Sequence, residues 1–255
     1  MNRTPKSDSQ TPRRQFIGEL AAGAAALAAA ACTPAATATA PSQAPTPKQP
    51  AAAAANNDGL PTGMPVAPKT WDTGWMSRIT AKHKAVFDSP EIDDGTALYQ
   101  AMSYLGSVKD VFGTGDSDAS VVVVLRHRAV PLLYNDAMWA KYDIGAATKT
   151  TDNKTGKPAT RNTFYQRLDA QGNPLSEEKP SSTIKSLSAR GVIFVGCDLA
   201  TRAFSSRAAA AAKKPVQEVY EDIRANLVPG ATLMPTGVFA TLMAQEAGCS
   251  LMRST

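Results

Sequence analysis

The cysteine at position 197 lies where a predicted strand meets a predicted helix, in the stretch GVIFVGCDLATRAF, Gly191 to Phe204. A thiol at such a junction receives the free N–H groups and partial positive charge of a helix N-terminus, which favour thiolate over thiol. Thiolate is the form that attacks electrophiles or carries sulfur. The alternative is a packing role, because cysteine is among the residue types most often buried. Residue types alone leave both interpretations open.

Three basic residues end the apolar run that precedes this region. Arg126, His127 and Arg128 follow the sequence ASVVVVL. If the strand that they end is the neighbour of the strand that ends at Cys197, all three bring positive charge close to the thiol. We therefore take them as candidate binding residues. The alternative for the two arginines is a solvated position on the surface.

The elements that must position these residues alternate between strand and helix along residues 82–255. Such alternation predicts an α/β fold, with a parallel sheet and right-handed crossovers that place helices on both faces. Ligands of such sheets bind outside the carboxyl ends of the strands, where Cys197 and His127 lie. The five predicted strands lie in the segments KHKAVFDSP, ASVVVVLRH, VIFVGC, PGATLMP and CSLM.

Three further segments carry specific expectations. The sequence VPLLYNDAMWAKY predicts one helix with Pro131 in its first turn. The sequence SSTIKSLSARG predicts a helix with a serine cap and a glycine end. Residues 143–180 are rich in turn formers and charge, which predicts a long loop that is functional, mobile or part of an interface.

Aromatic residues around this loop predict self-association. Trp139, Tyr142, Phe164 and Tyr165 lie in or beside it. A small domain that exposes several such side chains is expected to bury some of them between subunits. We therefore expect a homo-oligomer.

The first 31 residues are typical of a twin-arginine export signal. Arg13 and Arg14 precede a twelve-residue, alanine-rich run from Leu20 to Ala31. A membrane span is the competing interpretation, but it needs about 20 apolar residues. Export by this route predicts a periplasmic protein. Cys32 is a tentative lipidation site, because small residues precede it, although Leu27 lies too far upstream for a good lipoprotein signal.

Residues 32–69 form a Pro-, Ala- and Thr-rich spacer without apolar periodicity, which predicts disorder, and residues 70–255 form the predicted domain. Removing the first 31 residues lowers the formal net charge from +5 to +3. No basic stripe with interleaved aromatics follows a predicted helix, so we expect no nucleic-acid partner. We expect contact with a membrane only through a lipid on Cys32.

The sequence predicts neither a cofactor nor a metal. The Gly-rich stretch GTGDSD precedes a strand instead of following one, which argues against dinucleotide binding. Two histidines leave few ligands for a metal site. The chemistry that remains is that of the thiol.

The order of elements resembles that of the DsrE/DsrF-like family of small α/β proteins, in its exported, twin-arginine branch. The resemblance covers about Lys82 to Met252. Its most specific segment is LVPGATLMPTGVFATLMAQEAGCSLM, and VVVVLRHRAVPLLYNDAMWAKY and GVIFVGCDLATRAF also carry it.

The resemblance implies a three-layer α/β/α fold with a five-stranded, mainly parallel sheet in the order 4-3-2-1-5. It implies homotrimers or hexamers, and sulfur transfer through a persulfide on Cys197 with partner proteins as sulfur donor and acceptor. In that strand order His127 lies beside Cys197. Cys249 lies too far from Cys197 for a disulfide, so both thiols should stay unpaired. A non-catalytic module that binds a small ligand or mediates assembly remains the alternative function.

Overall fold

The computed structural model describes residues 63–176 and 179–255. The predicted signal at residues 1–31, the tentative lipidation site Cys32 and the spacer as far as residue 62 lie outside the described residues. None of the described helices is both long enough and apolar enough to cross a bilayer.

Five strands form one all-parallel sheet in the order β4-β3-β2-β1-β5. The predicted fold class and the implied strand order are both confirmed. The strands are β1 His83–Ser89, β2 Ala119–Leu125, β3 Ile193–Cys197, β4 Thr232–Met234 and β5 Ser250–Arg253. The first three are largely buried, whereas every residue of the edge strand β5 is exposed.

Seven α-helices connect and cover the described strands. They are α1 Thr96–Phe112, α2 Asp136–Lys141, α3 Ile144–Thr148, α4 Ile184–Ala189, α5 Asp198–Ala212, α6 Val216–Ala225 and α7 Gly237–Glu246. Short 3-10 helices add Gly74–Arg78, Asp93–Gly95, Asp116–Asp118 and His127–Leu133.

Alternate residues of the central strands belong to different cores because successive side chains of a strand point to opposite faces. Val121 and Val123 belong to the core on one face, together with residues of α1 to α6. Val122 and Val124 pack on the other face against α7 and the 3-10 helix that contains Trp75. This arrangement gives the three layers, and it explains why the valine run of β2 carries no polar alternation.

The single helix predicted for VPLLYNDAMWAKY is wrong. The segment forms the 3-10 helix His127–Leu133, an extended break, and then α2. Tyr134 pairs with Leu227 in an isolated bridge, and the side chain of Asn135 caps α2 by accepting the N–H of Met138 at 3.2 Å. The cap and the bridge fix a new helix start, so Pro131 lies in the 3-10 helix instead.

The predicted serine cap of α4 is also wrong. Its N-cap is Thr183, whose hydroxyl accepts the N–H of Ser186 at 3.2 Å. The predicted glycine end is confirmed, because Gly191 follows the helix with φ of 89°.

The predicted loop at 143–180 contains regular structure in its described part. It holds α3 and two isolated antiparallel bridges, Thr151 with Pro158 and Leu168 with Pro174. Of the aromatic residues expected to be exposed around it, Trp139 is 0% exposed and Tyr142 is buried. The Nε1–H of Trp139 donates to the carbonyl of Pro131 at 3.0 Å, so this indole is satisfied within the subunit.

Residues that precede position 70, the predicted start of the domain, contact the domain in the structure. Arg202 Nε donates to the carbonyl of Pro65 at 2.6 Å, and the N–H of Val66 donates to Gln217 Oε1 at 2.9 Å. Residues 63–69 therefore lie against α5 and α6.

Candidate active site around Cys197

Cys197 is both the last residue of β3 and the N-cap of α5. Its Sγ accepts the backbone N–H of Ala200 at 3.4 Å, the bond that an N-cap side chain makes to the first turn of a helix. The expected junction of strand and helix N-terminus is therefore present. The residue is 6% exposed, so the sulfur has only a narrow contact with solvent.

Strand register brings Arg126 to the same edge of the sheet as Cys197. Leu125 of β2 pairs with Gly196 of β3, so the residues that follow them, Arg126 and Cys197, lie at the same edge of the sheet. The start of α7 lies close by, since a Cβ added to Gly237 would lie 2.5 Å from Cβ of Arg126. Only glycine allows α7 to begin against this arginine.

Arg126 is held by a carboxylate of the neighbouring strand. Its Nε and Nη2 donate to the two carboxylate oxygens of Asp88 at 2.6 and 2.8 Å, a bidentate arrangement. These hydrogen bonds raise the pKa of Arg126 above its ordinary value, with smaller contributions from the charges of Asp88 and Cys197. Because Asp88 offsets much of the guanidinium charge, the thiol receives only part of it.

His127 and Arg128 turn towards Glu91, which follows β1. Nδ1 of His127 lies 3.2 Å from Glu91 Oε1, and Nε of Arg128 lies 3.9 Å from Glu91 Oε2. The side chains are 63% and 75% exposed. Of the three basic candidates, Arg126 is thus the one that the structure joins to the surroundings of Cys197. A supporting role of His127 stays a prediction.

Sequence reasoning missed a buried polar pair directly behind the thiol. Asp198, the first residue of α5, is 1% exposed and accepts the hydroxyl of Tyr220 at 2.7 Å. Burial raises the pKa of this carboxyl above its ordinary value, opposed by the Tyr220 hydrogen bond and by the charges of Arg224 and Arg202. The signal in the sequence is the acidic residue straight after Cys197. Its partner lies 22 positions away on α6 and carries no local signature.

Tyr134, which follows the 3-10 helix His127–Leu133, lies on one side of the site. Its hydroxyl donates to Thr201 Oγ1 at 3.1 Å, and Thr201 in turn donates to the carbonyl of Cys197 at 3.1 Å. Burial raises the pKa of Tyr134 far above its ordinary value. The group therefore stays a neutral hydrogen-bond donor and takes no part in acid–base chemistry near neutral pH.

Cys249 offers a contrast with Cys197. It lies just before β5, is 5% exposed and packs in the core beneath α7. Burial raises the pKa of this thiol, and nearby Lys84 only partly opposes the effect. Both cysteines are free, as the resemblance implied. No group of three or more His, Cys, Asp or Glu side chains in the described part of the chain is arranged to hold a metal ion.

No family model and no curated protein matches this chain. Membership of the DsrE/DsrF-like family therefore stays a prediction from the sequence. The structure defines the class at the level of fold, a three-layer α/β protein with a parallel five-stranded sheet.

Proposed function

We propose that the protein is an exported sulfur carrier of the DsrE/DsrF-like type that holds a persulfide on Cys197. The observation that carries this proposal is the 3.4 Å hydrogen bond from the N–H of Ala200 to Sγ. The bond places Sγ at the N-terminus of a 15-residue helix, where the free N–H groups and the partial positive charge of a helix act.

The transfer step needs no external oxidant. The thiolate of Cys197 attacks the outer sulfur of a donor persulfide, R–S–SH. A new S–S bond forms on Cys197, the S–S bond of the donor breaks, and the donor leaves as the thiolate R–S⁻. The reverse exchange with an acceptor thiolate passes the sulfur on, so a donor and an acceptor protein are the partners that this function requires.

Arg126 supports this step with a positive charge that is fixed at the same edge of the sheet as Cys197. Its bidentate pair with Asp88 fixes the guanidinium in place, so no ordering cost arises when the anion forms. The exposed side chains of His127 and Arg128, beside Glu91, support contact with a charged partner protein.

A second function is favoured by the 6% exposure of Cys197. A thiol this enclosed also suits a non-catalytic module of the periplasm that binds a small ligand or mediates assembly, in which the cysteine only packs. The two functions differ in whether sulfur can be loaded on the native protein.

The test is to incubate the native protein with glutathione persulfide and to map adducts by peptide mass spectrometry. The sulfur-carrier function predicts one added sulfur atom on Cys197, loss of that adduct in Cys197→Ser, and retention in Cys249→Ser. Absence of any adduct on Cys197 under conditions that load free cysteine would contradict it and favour the binding module.

A further inference from the structure

A second site lies at the carboxyl end of β1, apart from Cys197. Two adjoining cavities of about 520 and 390 Å³ open between the segment after β1 and the region 148–164. Asp94, Thr163 and Phe164 line both of them. The shared lining makes them one elongated cleft, on the edge of the sheet where parallel α/β folds bind ligands.

One wall of the cleft is fixed by a buried asparagine. Asn162 is 1% exposed, and its amide donates to the carbonyls of Leu132 and Tyr134 at 2.7 and 2.9 Å. Its own backbone N–H donates to Asp136 at 2.9 Å. These bonds hold the chain just before Phe164 on the body of the domain, so the wall is preformed and not a swinging loop.

The opposite wall lies so close to the ring of Phe164 that a residue without a side chain, Gly95, is needed there. A Cβ added to Gly95 would lie 3.0 Å from the ring of Phe164, and Gly95 itself has φ of 82°. Asp93 and Asp94 precede it with φ of 40° and 49°, a left-handed conformation that Asp and Asn tolerate better than most residues. Such strained residues gather at functional sites more often than elsewhere.

Thr96, Thr148, Thr150 and Thr183 in the lining are already hydrogen-bonded within the protein, whereas the exposed residues Asp93, Asp94 and Lys149 keep their charged groups open to a ligand. The carboxylates of Asp93 and Asp94 and the ammonium of Lys149 form no hydrogen bond or ion pair in this part of the chain. Thr163 adds a hydroxyl that both donates and accepts, and the half-buried ring of Phe164 supplies an apolar surface.

The mixture of charges selects the class of ligand. An anion would face the two carboxylates, and an ammonium group, which only donates hydrogen bonds, could not accept one from Lys149. A neutral molecule can hydrogen-bond to Asp93, Asp94, Lys149 and Thr163 together if each of its polar groups both donates and accepts. Sugar hydroxyls meet this requirement, and the C–H face of a pyranose ring packs on an aromatic ring such as Phe164.

We infer that this cleft binds a neutral saccharide, with Asp93, Asp94, Lys149 and Thr163 bonding its hydroxyls and Phe164 covering one ring face. The inference does not depend on sulfur transfer. Two adjoining compartments of these sizes accommodate two sugar rings, which points to a disaccharide or the end of a longer chain.

The test is a protein-observed ¹H–¹⁵N NMR titration of the full chain with maltose, cellobiose and diacetylchitobiose. Each is supplied at about 10 mM, a concentration that populates millimolar sites. At least one disaccharide should bind, with amide shifts confined to residues 92–96, 148–153 and 163–164. The double variant Asp93→Asn/Asp94→Asn keeps the left-handed backbone and should weaken binding about tenfold, because each bond to a charged acceptor becomes a neutral one.

The matched control is Asp110→Asn, which removes an exposed carboxylate at the far end of α1 and should leave sugar binding unchanged. Cys197→Ser should also bind sugar normally, which separates this inference from the proposed sulfur chemistry. The inference is overturned if none of the three disaccharides binds, or if the double variant binds as well as the wild type. It is equally overturned if cadaverine or inorganic phosphate binds the cleft more tightly than every sugar.

Discussion

Single residues determine how strongly positive charge acts on the thiol of Cys197. Arg126 lies next to Cys197 in register, but Asp88 engages it through two hydrogen bonds. The apolar run before Arg126 allowed the position of this arginine to be predicted from the sequence. The carboxylate that restrains it could not be predicted, because the pairing of Asp88 with Arg126 depends on the β1–β2 register.

Replacing Asp88 with Asn should make Cys197 more reactive. The guanidinium keeps its charge but loses the carboxylate that offsets it, so thiolate at Cys197 becomes more favourable and alkylation of Cys197 should be faster. The free energy of unfolding should fall by about 1–2 kcal/mol, since a partly buried charged hydrogen-bond pair is lost.

The matched control for this variant is Asp116→Asn. Asp116 forms the same bidentate pair with Arg190 at 2.8 and 2.9 Å, at the opposite end of β2 from Arg126. It should lower stability without changing the rate at Cys197. Equal rates for the wild type and Asp88→Asn would show that Arg126 does not act on the sulfur.

The buried carboxyl of Asp198 predicts a specific pH dependence. Because its pKa in the folded state is raised above the ordinary 3.8, the folded state favours the protonated form. The contribution of this group to stability is therefore fully present below pH 3.8 and is lost as pH rises through the raised value. The Asp198→Asn variant has no carboxyl to ionise at this position, so it does not lose stability in this way.

Urea unfolding at a series of pH values measures the effect. The stability of Asp198→Asn relative to the wild type should increase as the pH rises above about 4 and should level off once Asp198 of the wild type is ionised. A relative stability that instead decreases over this range would mean that the arginines near Asp198 outweigh its burial.

At the level of elements, close approaches decide where helices can begin. The alternation of apolar runs and helical periodicities predicted all five strands, and the signal is strongest in β2, where burial on two faces leaves a run of valines. The break at Tyr134 and Asn135 could not be predicted, since it depends on a bridge to Leu227 that lies far along the chain. The contact of α7 with Arg126 is a comparable case, in which a glycine is needed for a neighbour that the local sequence does not indicate.

Replacing Gly237 with Ala should disturb that contact. The new Cβ would lie 2.5 and 2.7 Å from Cβ and Cδ of Arg126, so the arginine or the helix start must move. The expected loss of stability is about 1–3 kcal/mol, the usual cost of overpacking.

Gly106→Ala is the control for this change. Gly106 lies within α1, and nothing lies within 4 Å of an added Cβ. Alanine there should stabilise the protein by about 0.5–1 kcal/mol through helix propensity. If both variants gain stability in chemical denaturation, the packing of α7 on Arg126 is looser than described.

On the scale of the whole molecule, the helical layers on the two faces of the sheet are unequal. Six of the described α-helices, α1 to α6, contribute to the core on one face, while α7 and the 3-10 helix that contains Trp75 contribute to the core on the other. The outer side of α7 exposes Val238 and Leu242, and the edge strand β5 exposes Leu251 and Met252. Trp139 and Tyr142 are buried within the subunit, so these aliphatic residues replace them as the apolar surface that favours a homo-oligomer.

Light scattering at tens of micromolar, a rough working range for such contacts, should therefore give the mass of an oligomer. The trimer or hexamer implied by the resemblance is the expected assembly. Leu242→Lys should shift the mass towards the monomer because it places a charge in the proposed interface. Val111→Lys, at a 72% exposed valine on α1, should not. A monomeric wild type would contradict the assembly prediction.

The most direct measurement of the central claim, that Cys197 is a reactive thiol, compares the two cysteines in one native sample. Cys197 and Cys249 are 6% and 5% exposed as whole residues, so neither has a clear advantage in exposure. Cys197 accepts a helix N-terminal N–H, whereas burial raises the pKa of Cys249. Limited alkylation with iodoacetamide at neutral pH, read by peptide mass spectrometry, should label Cys197 first. Equal labelling, or a Cys197 that resists the reagent until the protein is denatured, would contradict the claim.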